Sequence, residues 1–347
     1  MAVAYDFNHD GYLDLFVGGR SVPREYGNPP TSFLFVNDGK GHFTDMAATK
    51  NPDITHVGMV TGACWTDITG DTAKELIIVG EWMAPRIFSY HADHFEEVQT
   101  NLKELSGWWE SVSVADVNGD GKMDLILGNI GENFYLQPDS AKPVKLWVND
   151  YDQNGNMDNI LSRTVDGKDM PVFLKHDMEF QMPILKKQNL KHGEFAKKTI
   201  QDLLPEAMIK TSQVKKFNYC PSVVAINEGK GQFNIHRLPT MVQLSSVNAI
   251  RVMDLNGDGF PDLVLGGNEF GFLPQFSRLD GSFGDALLND GKGNFRFIPN
   301  AKSGLGLRGQ VRDIAMIKGQ KKTRFLFLMN DEYPVLYELE GLGKSKK

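Results

Sequence analysis

An acidic loop of nine residues recurs along this chain and constrains the fold more than any other feature. The loop places side-chain oxygens at positions 1, 3, 5 and 9, and Gly at position 6. Its four intact copies occupy residues 6–14, 116–124, 150–158 and 254–262. Oxygens on alternate residues converge on one point, a backbone carbonyl at position 7 can join them, and Gly permits the sharp turn. Such a loop is suited to wrapping a hard cation.

Calcium is the predicted ion, at about four sites, because magnesium prefers a small octahedral site that keeps several waters. The predicted ligands, with a backbone carbonyl at position 7 of each loop, are Asp6, Asn8, Asp10, Tyr12 and Asp14; Asp116, Asn118, Asp120, Lys122 and Asp124; Asp150, Asp152, Asn154, Asn156 and Asp158; and Asp254, Asn256, Asp258, Phe260 and Asp262. The alternative is a plain Asx-rich turn that holds no metal.

Short apolar strands stand before and after each loop, and a hairpin of a second type follows further on. Its turns read Asn-Asp-Gly or Asn-Glu-Gly at 37–39, 227–229 and 289–291, and these residues supply the positive φ angles of tight hairpins. A repeating unit of roughly 50 to 60 residues with about four strands is typical of a propeller blade. The predicted fold is therefore an all-β β-propeller of six to seven four-stranded blades, with a short helical insertion.

One domain is expected over residues 1–342, with a helical insertion at about 178–216 and a disordered tail at 343–347. Within the insertion Phe195, Ile200, Leu203 and Leu204 share one face. The loop at 67–75 marks a blade but lacks Gly at position 6, so no metal is expected there. The loop after Arg312 has lost its acids. Six blades are counted, and a seventh is allowed for in the 130–220 region.

Composition limits where the protein works. The net charge is −7 and no basic stripe compensates for it, which argues against nucleic-acid binding. No run of about 18 apolar residues predicts a membrane-spanning helix. The two cysteines make no disulfide framework and are expected to be buried free thiols. Weakly charged calcium loops suit millimolar calcium, so an extracellular, cell-surface or periplasmic location is expected, and the chain is expected to be the C-terminal part of a longer, targeted protein.

A second group of polar residues lies in a loop rich in Gly and aromatic residues. The candidate ligand-binding residues are Asn268, Glu269, Gln275, Arg278 and Asp280. With the loops at 80–82 and 128–134, they are expected to line one mouth of the propeller channel and to bind a polar ligand such as a glycan. The alternative is that these groups pin the loops and satisfy buried backbone. Trp108 and Trp109 are interpreted as packing residues.

The acidic loops resemble the FG-GAP or VCBS repeats of calcium-binding β-propellers such as integrin α-chain heads. Four further segments, 146–158, 182–187, 196–204 and 267–282, resemble the C-terminal propeller of bacterial VCBS-repeat proteins that carry ASPIC and UnbV domains and are similar to cartilage acidic protein. The resemblance implies a calcium-binding propeller. It implies little about activity, since the family is known by its fold and calcium loops.

Two functions are therefore weighed. The preferred one is a binding or scaffold module whose partner is a protein or a glycan at the cell envelope. The alternative is a propeller enzyme, a hydrolase or lyase acting on polysaccharide. The chain has no Gly-x-Ser-x-Gly elbow, His-Glu-x-x-His motif or phosphate-binding Gly loop. A concave pocket with two carboxylates that bind no metal, about 5 to 10 Å apart, would favour the enzyme.

Overall fold

The fold consists of antiparallel sheets with a few short helices. The computed structural model describes residues 1–183, 185–186, 191–273, 276, 278–320 and 322–340. Within those ranges the strands form six sheets, four of them four-stranded. The all-β prediction is therefore confirmed at the level of the sheets. The expected disordered tail at 343–347 lies outside the described residues.

Five of the sheets follow one another in the chain. The first contains β1 (Ala2–Tyr5), β2 (Asp14–Val17), β3 (Phe33–Asn37) and β4 (Phe43–Asp45). The second contains β5 (Met59–Thr66), β6 (Glu75–Met83), β7 (Arg86–His91), β8 (His94–Glu97) and β9 (Gly107–Trp108), which pairs with β6. The third contains β10 (Ser111–Ala115), β11 (Asp124–Gly128), β16 (Val223–Gly229) and β17 (Gln232–Arg237). The fourth contains β18 (Val247–Met253), β19 (Asp262–Gly267), β20 (Asp285–Asn289) and β21 (Phe295–Ile298). The fifth contains β22 (Val311–Lys318), β23 (Thr323–Met329) and β24 (Val335–Glu338).

These five sheets stand side by side through their first strands. β1 contacts β5, β5 contacts β10, β10 contacts β18, and β18 contacts β22. Apolar clusters fill the space between successive sheets. Phe16 of the first sheet packs with Leu76 of the second, and Ile126 of the third packs with Leu263 of the fourth. Burial between neighbouring sheets is thus the main source of cohesion in the series.

The sixth sheet is inserted into the third. It contains β12 (Val144–Asn149), β13 (Asp158–Val165), β14 (Lys168–Pro171) and β15 (Gln213–Phe217), in the order β14-β13-β12-β15. All four strands fall between β11 and β16, which pair directly with each other. The acidic loop at 150–158 therefore joins two strands of an inserted sheet, whereas the other three intact loops join the first two strands of sheets in the series.

Short helices accompany the inserted sheet, in the region where helical spacing predicted them. They are α3 (Lys175–Gln181), α4 (His192–Phe195), α5 (Ile200–Leu203) and α6 (Glu206–Thr211). Elsewhere lie α1 (Ala47–Lys50), α2 (Pro52–Thr55), α7 (Asn300–Ser303) and two 3₁₀ turns, Asn101–Glu104 and Val242–Leu244. Phe195, Ile200, Leu203 and Leu204 are buried together against the sheet, as their shared face predicted. Among the described residues, no helix has the length and apolar character needed to cross a membrane.

Both cysteines are free thiols. Cys64 is half-buried on β5 and Cys220 is buried beside the inserted sheet. Burial raises the pKa of each thiol to about 12. A thiol with such a pKa stays protonated at neutral pH and is a poor nucleophile.

Candidate functional site

The acidic loops share one pattern of internal hydrogen bonds. In the loop at 254–262 the first carboxylate, that of Asp254, accepts the N–H groups of Gly257 at 2.7 Å and Gly259 at 2.9 Å. Asn256 at position 3 accepts the N–H of Asp258 at 2.9 Å. Equivalent bonds to the first Asp close the loops at 6–14, 116–124 and 150–158. The sequence therefore folds the backbone around the first carboxylate, which draws the alternate side chains together.

The aspartate at position 9 is buried in every intact loop. Asp14, Asp124 and Asp262 have no measurable exposure, and Asp158 is 4% exposed. Burial raises the pKa of each of these carboxyls, and the other carboxylates of the same loop push it in the same direction. A bound cation would offset both effects.

The loop on the inserted sheet brings its acids closest together. Carboxylate oxygens of Asp150, Asp152 and Asp158 lie within 4.8 Å of one another. Asp152 Oδ1 is buried without a hydrogen-bond partner in the described part of the chain. Three converging carboxylates with an unsatisfied oxygen fit a hard cation that takes oxygen ligands.

In the other loops, side chains already cover the position-5 carboxylate. Asn8 donates to Asp10 at 3.0 Å and Asn256 donates to Asp258 at 2.8 Å. The Lys122 ammonium lies 2.9 Å from Asp120. The loop at 150–158 has the reverse order, with an acid, Asp152, at position 3 and an amide, Asn154, at position 5.

The loop at 67–75 shows what the loss of Gly does. Thr72 occupies position 6 and adopts φ = 77°, in the left-handed region that Gly11, Gly121 and Gly259 occupy elsewhere. Glu75 at position 9 is buried and accepts the N–H of Ile68 at 2.8 Å. This loop therefore keeps the backbone fold of the intact loops, with Thr72 in place of Gly at position 6 and Glu75 in place of Asp at position 9. The sequence between β22 and β23 contains no acidic residue.

The predicted ligand-binding residues at 268–280 occupy different surroundings. Asn268 is 1% exposed, accepts the hydroxyl of Ser245 at 2.9 Å and donates to the carbonyl of Ser282 at 2.8 Å. Arg278 pairs with Asp280 at 3.2 Å on the surface. Gln275 lies outside the described residues. Asn268 is thus placed to pin loops together, while the Arg278 and Asp280 side chains face solvent.

Glu269 belongs to a charged cluster at the opposite end of the strands from the acidic loops. Its carboxylate accepts the amide of Gln310 at 2.8 Å and lies 3.7 Å from the guanidinium of Arg312. The Arg20 guanidinium lies 2.6 Å from Glu81 and 3.8 Å from Glu110. Arg20 and Glu269 follow a second strand, Glu81 lies near the end of one, and Glu110 and Arg312 lie at the start of a first strand. The acidic loops join the other ends of those strands.

Two glutamates of this cluster face the same arginine, Arg20. Burial, together with the charges of Glu81 and Glu269, raises the pKa of Glu110 to about 8. Glu81 is held by the Arg20 ion pair and by the hydroxyl of Tyr26, which donates at 2.7 Å. The raised pKa favours the protonated form of Glu110 at neutral pH.

Sequence reasoning identified Glu81 and Glu269 through their loops but missed Arg20, Tyr26, Glu110 and Arg312. One signal was available: a Gly near the end of a second strand is followed within two residues by a charged side chain at Gly18-Gly-Arg20, Gly80-Glu81 and Gly267-Asn-Glu269. Because the pattern repeats, charged side chains from different sheets gather at the same end of the strands.

An aromatic cavity of about 260 Å³ lies next to the charged cluster. The residues lining it are Tyr26, Trp82, Trp108, Tyr135, Leu146, Asn159, Leu161, Phe173, Gly271, Phe272, Leu273 and Phe276. Trp82 donates its indole N–H to the Tyr26 hydroxyl at 2.9 Å, which links the cavity wall to Glu81. The three glutamates of the cluster, Glu81, Glu110 and Glu269, are not among the described residues that line it.

Comparison with protein-family models supports the assignment of repeats in part of the chain. The family model described as an FG-GAP-like repeat matches residues 6–78 and 67–127. No curated protein sequence matches the chain. Among solved structures, the V. cholerae biofilm matrix protein Bap1 is similar with a TM-score of 0.32 and 9% sequence identity, over 95% of this chain and 66% of that chain. The chain thus spans just under two thirds of the Bap1 chain, and at that TM-score nothing about function follows from the likeness.

Proposed function

We propose that the protein is a calcium-binding β-propeller that serves as an extracellular or cell-envelope binding or scaffold module. The carrying observation is the convergence of Asp150, Asp152 and Asp158 within 4.8 Å, with one oxygen unsatisfied. The loops at 6–14, 116–124 and 254–262 repeat the same backbone arrangement and are proposed to hold calcium as well. Weakly charged loops of this kind suit surroundings with millimolar calcium, which supports a location outside the cytoplasm.

The series of sheets is proposed to be part of a propeller of six to seven blades in one domain. Contacts between the first strands of five successive sheets support this arrangement, since the first strands of propeller blades line a central channel. The likeness to bacterial VCBS-repeat proteins with ASPIC and UnbV domains belongs to the same proposal. The partner is proposed to be a protein or a glycan at the cell envelope.

Removal of metal tests the calcium proposal. Each bound ion stabilises the folded state by mass action, so excess EDTA should lower the melting temperature and added calcium should restore it. Calorimetric titration of the stripped protein should give about four calcium ions per chain. The proposal fails if the melting temperature is the same with EDTA and with calcium.

A second candidate function has one observation in its favour. Glu81 and Glu110 both lie within 4 Å of one Arg20 nitrogen, and burial together with neighbouring carboxylates raises the pKa of Glu110 to about 8. Glycoside hydrolysis requires two carboxyl groups, one of which keeps its proton and acts as general acid. The candidate enzyme, a hydrolase or lyase, would act on polysaccharide.

A turnover assay separates the two candidates. The purified protein is incubated with a panel of polysaccharides and the release of reducing ends or unsaturated products is followed. An enzyme would lose activity in both Glu81→Gln and Glu110→Gln while still folded. A binding module would show no turnover on any member of the panel that it binds.

A further inference from the structure

We infer that the outer edge of β24 binds an extended strand of a partner polypeptide, and that a phenylalanine of that strand enters an apolar groove between the fourth and fifth sheets. The inference rests on the proposed role as a binding module, and it names the kind of partner and its place on the fold. Strand addition of this kind gains affinity from backbone hydrogen bonds and specificity from the pockets that receive alternate side chains.

The fifth sheet has one strand fewer than the sheets before it. In each of the first four sheets of the series the third strand pairs with a fourth, whereas within the described ranges β24 pairs with β23 alone. The Leu339 N–H bonds to the Thr323 carbonyl of β23's first residue at 2.8 Å. Because bonded residues alternate along an antiparallel ladder, the N–H and C=O groups of Leu336 and Glu338 point outward. They form the edge that an added strand would pair with.

The fourth strands of the other sheets show which side chain the fifth sheet lacks. Each has a phenylalanine as its first or second residue, namely Phe43, Phe95, Phe233 and Phe295. This ring packs against the apolar residue at position 2 of the loop in the preceding sheet. Phe95 lies 5.1 Å from Phe7 between ring centroids, and Phe233 is buried in one cluster with Ile68.

The same contact recurs at the next interface and is incomplete at the last one. Phe295 packs on the cluster that contains Val117, the position-2 residue of the loop at 116–124. The corresponding residue of the fourth sheet is Leu255, and it lines a groove of about 510 Å³ between the fourth and fifth sheets. Within the described residues, the fifth sheet has no fourth strand to place a ring there. The preceding interfaces therefore identify the occupant as a phenylalanine of an added strand.

The register of β24 directs the added side chains into the groove. Tyr337 and Leu339 turn toward the fourth sheet and line the groove. Residues directly opposite one another in a sheet lie on the same face, so the residues opposite these two also face the groove. They stand two positions apart, and the partner strand therefore has the pattern Phe-x-apolar. The fourth strands at 233–235 and 295–297, which read Phe-Asn-Ile and Phe-Arg-Phe, have this pattern.

The described chain uses its own strands of this pattern elsewhere. Phe233 and Phe295 lie on β17 and β21, which pair with β16 and β20 inside their own sheets. Residues 341–347 contain no aromatic residue. A partner polypeptide is therefore the source of the strand that we assign to the groove.

Binding of a synthetic peptide tests the inference. The probe is a fluorescein-labelled peptide of residues 291–299, Gly-Lys-Gly-Asn-Phe-Arg-Phe-Ile-Pro, titrated with the full chain and followed by fluorescence anisotropy. The same peptide with Phe295→Ser should bind about tenfold more weakly, because it has no ring for the groove.

Two methylated peptides separate strand pairing from general adhesion. In the β20–β21 hairpin the Asp290 N–H bonds to the Asn294 carbonyl, so the Arg296 N–H is the next to face the neighbouring strand. Methylation of the Arg296 amide nitrogen should weaken binding about tenfold. Methylation of the Phe297 amide nitrogen, which points away from that strand, keeps the same charge and apolar surface and should leave binding unchanged.

Two variants of the protein locate the site. Leu336→Pro removes an outward N–H and keeps the bonds to β23, and Leu336→Ala is its control. Ala301→Trp places a ring in the groove from exposed α7, and Ala207→Trp, on exposed α6, is its control. Leu336→Pro and Ala301→Trp should each weaken peptide binding about tenfold, and the two controls should not. Ala301→Trp leaves β24 untouched, so the test holds even if Leu336→Pro fails to fold.

Several results would overturn the inference. They are absence of peptide binding, equal binding by the two methylated peptides, and unchanged binding in either Leu336→Pro or Ala301→Trp. Peptide binding that appears only after removal of residues 341–347 would show that the chain covers its own edge. A dimer that the peptide dissociates, followed by sedimentation velocity, would assign the edge to a second copy. Both of these results would also overturn the inference.

The titrations are made with calcium and repeated with EDTA, because Leu255 belongs to the acidic loop at 254–262. If EDTA lowers the melting temperature but the peptide does not bind in calcium, the strand inference fails and the calcium proposal stands. If the peptide binds and EDTA has no effect on melting, the calcium proposal fails and the strand inference stands.

Discussion

The carboxylate of Asp124 accepts the backbone N–H of Asn227 at 2.8 Å, although 103 positions separate the two residues in the chain. Asp124 ends an acidic loop and Asn227 begins an Asn-Glu-Gly hairpin turn. The same bond joins Asp14 to Asn37 at 2.9 Å and Asp262 to Asn289 at 2.8 Å. The two sequence motifs that recur along the chain are therefore joined by a hydrogen bond in each of these three sheets.

Two of these asparagines also connect neighbouring sheets. The Asn227 amide donates to the carbonyl of Ile68 in the loop of the preceding sheet at 2.8 Å. The Asn289 amide donates to the carbonyl of Val117, again in the preceding sheet, at 2.8 Å. Position 2 of one acidic loop is thus tied to the hairpin of the next sheet. A cation that stiffens one loop would steady two sheets.

Replacing Asp124 tests the lock itself. In Asp124→Ala the buried N–H groups of Val117 and Asn227 lose their acceptor. We expect a loss of about 2–4 kcal/mol in the free energy of unfolding, measured by urea denaturation in EDTA so that metal plays no part. Asp120→Ala, in the exposed part of the same loop, should change stability by less than about 1 kcal/mol. Equal losses in the two variants would show that the bond to Asn227 is unimportant.

Replacing Thr72 with glycine should stabilise the protein. It is a β-branched residue at φ = 77°, where Gly stands in the intact loops. Relief of that strain outweighs the added flexibility of the unfolded chain, so Thr72→Gly should raise the free energy of unfolding by about 0.5–1 kcal/mol. Gly121→Ala, at φ = 86°, makes the reverse change and should lower it. Thermal melts in EDTA compare the pair, and destabilisation by Thr72→Gly would contradict the strain argument.

Local signals made much of the fold predictable. The loop at 116–124 and its flanking strands lie within 20 residues, and the hairpin from β16 to β17 is equally short, so both patterns are complete in the sequence. Pairing of β11 with β16 is different. Leu125 faces Ala225 across an insertion of nearly a hundred residues, and nothing local in an apolar strand specifies so distant a partner. The blade pattern in the sequence therefore includes the loop at 150–158, whereas the structure places that loop on an inserted sheet.

The site was predictable to a similar extent. Loop ligands follow from spacing, because a turn of nine residues dictates which side chains converge. The charged cluster depends on residues from several sheets, such as Arg20 and Glu81, which meet only once the sheets stand side by side. The prediction for residues 268–282 pointed to the end of the strands that carries the charged cluster, yet Asn268 is a buried structural amide. Exposure is a tertiary property that spacing does not report.

The Asp152 carboxylate should stabilise the protein only when calcium is present. Its Oδ1 has no partner in the described structure and two other carboxylates lie within 4.8 Å, so Asp152→Asn removes repulsion in the metal-free loop. We expect equal or higher stability in EDTA and a smaller gain on adding calcium, by about 1–3 kcal/mol, in paired denaturation curves. Asp71→Asn, in the loop where Thr72 replaces Gly, should leave the calcium gain unchanged. A calcium gain unaffected by Asp152→Asn would remove this loop from the set of metal sites.

Asp285 should make the protein less stable as pH rises. It lies 5% exposed on β20, and burial raises its pKa to about 7, against about 4 in an unfolded chain. Between those values the folded state holds the proton more tightly. The stabilisation is therefore complete below pH 4 and is lost as pH rises through 7, by up to about 4 kcal/mol.

Asp285→Asn cannot ionise, so its free energy of unfolding should decline less than that of the parent protein between pH 4 and pH 7. The measurement is a set of urea curves in EDTA, read as the difference between variant and parent, because other buried carboxyls titrate in the same range. Asp290→Asn serves as the control, since Asp290 is exposed at a turn where hydrogen bonds, led by that from Asn294, lower its pKa. It should leave the decline in place. If Asp285→Asn follows the parent at every pH, the Asp285 carboxyl is ionised in the folded protein at the same pH as in the unfolded chain, and its burial carries no cost.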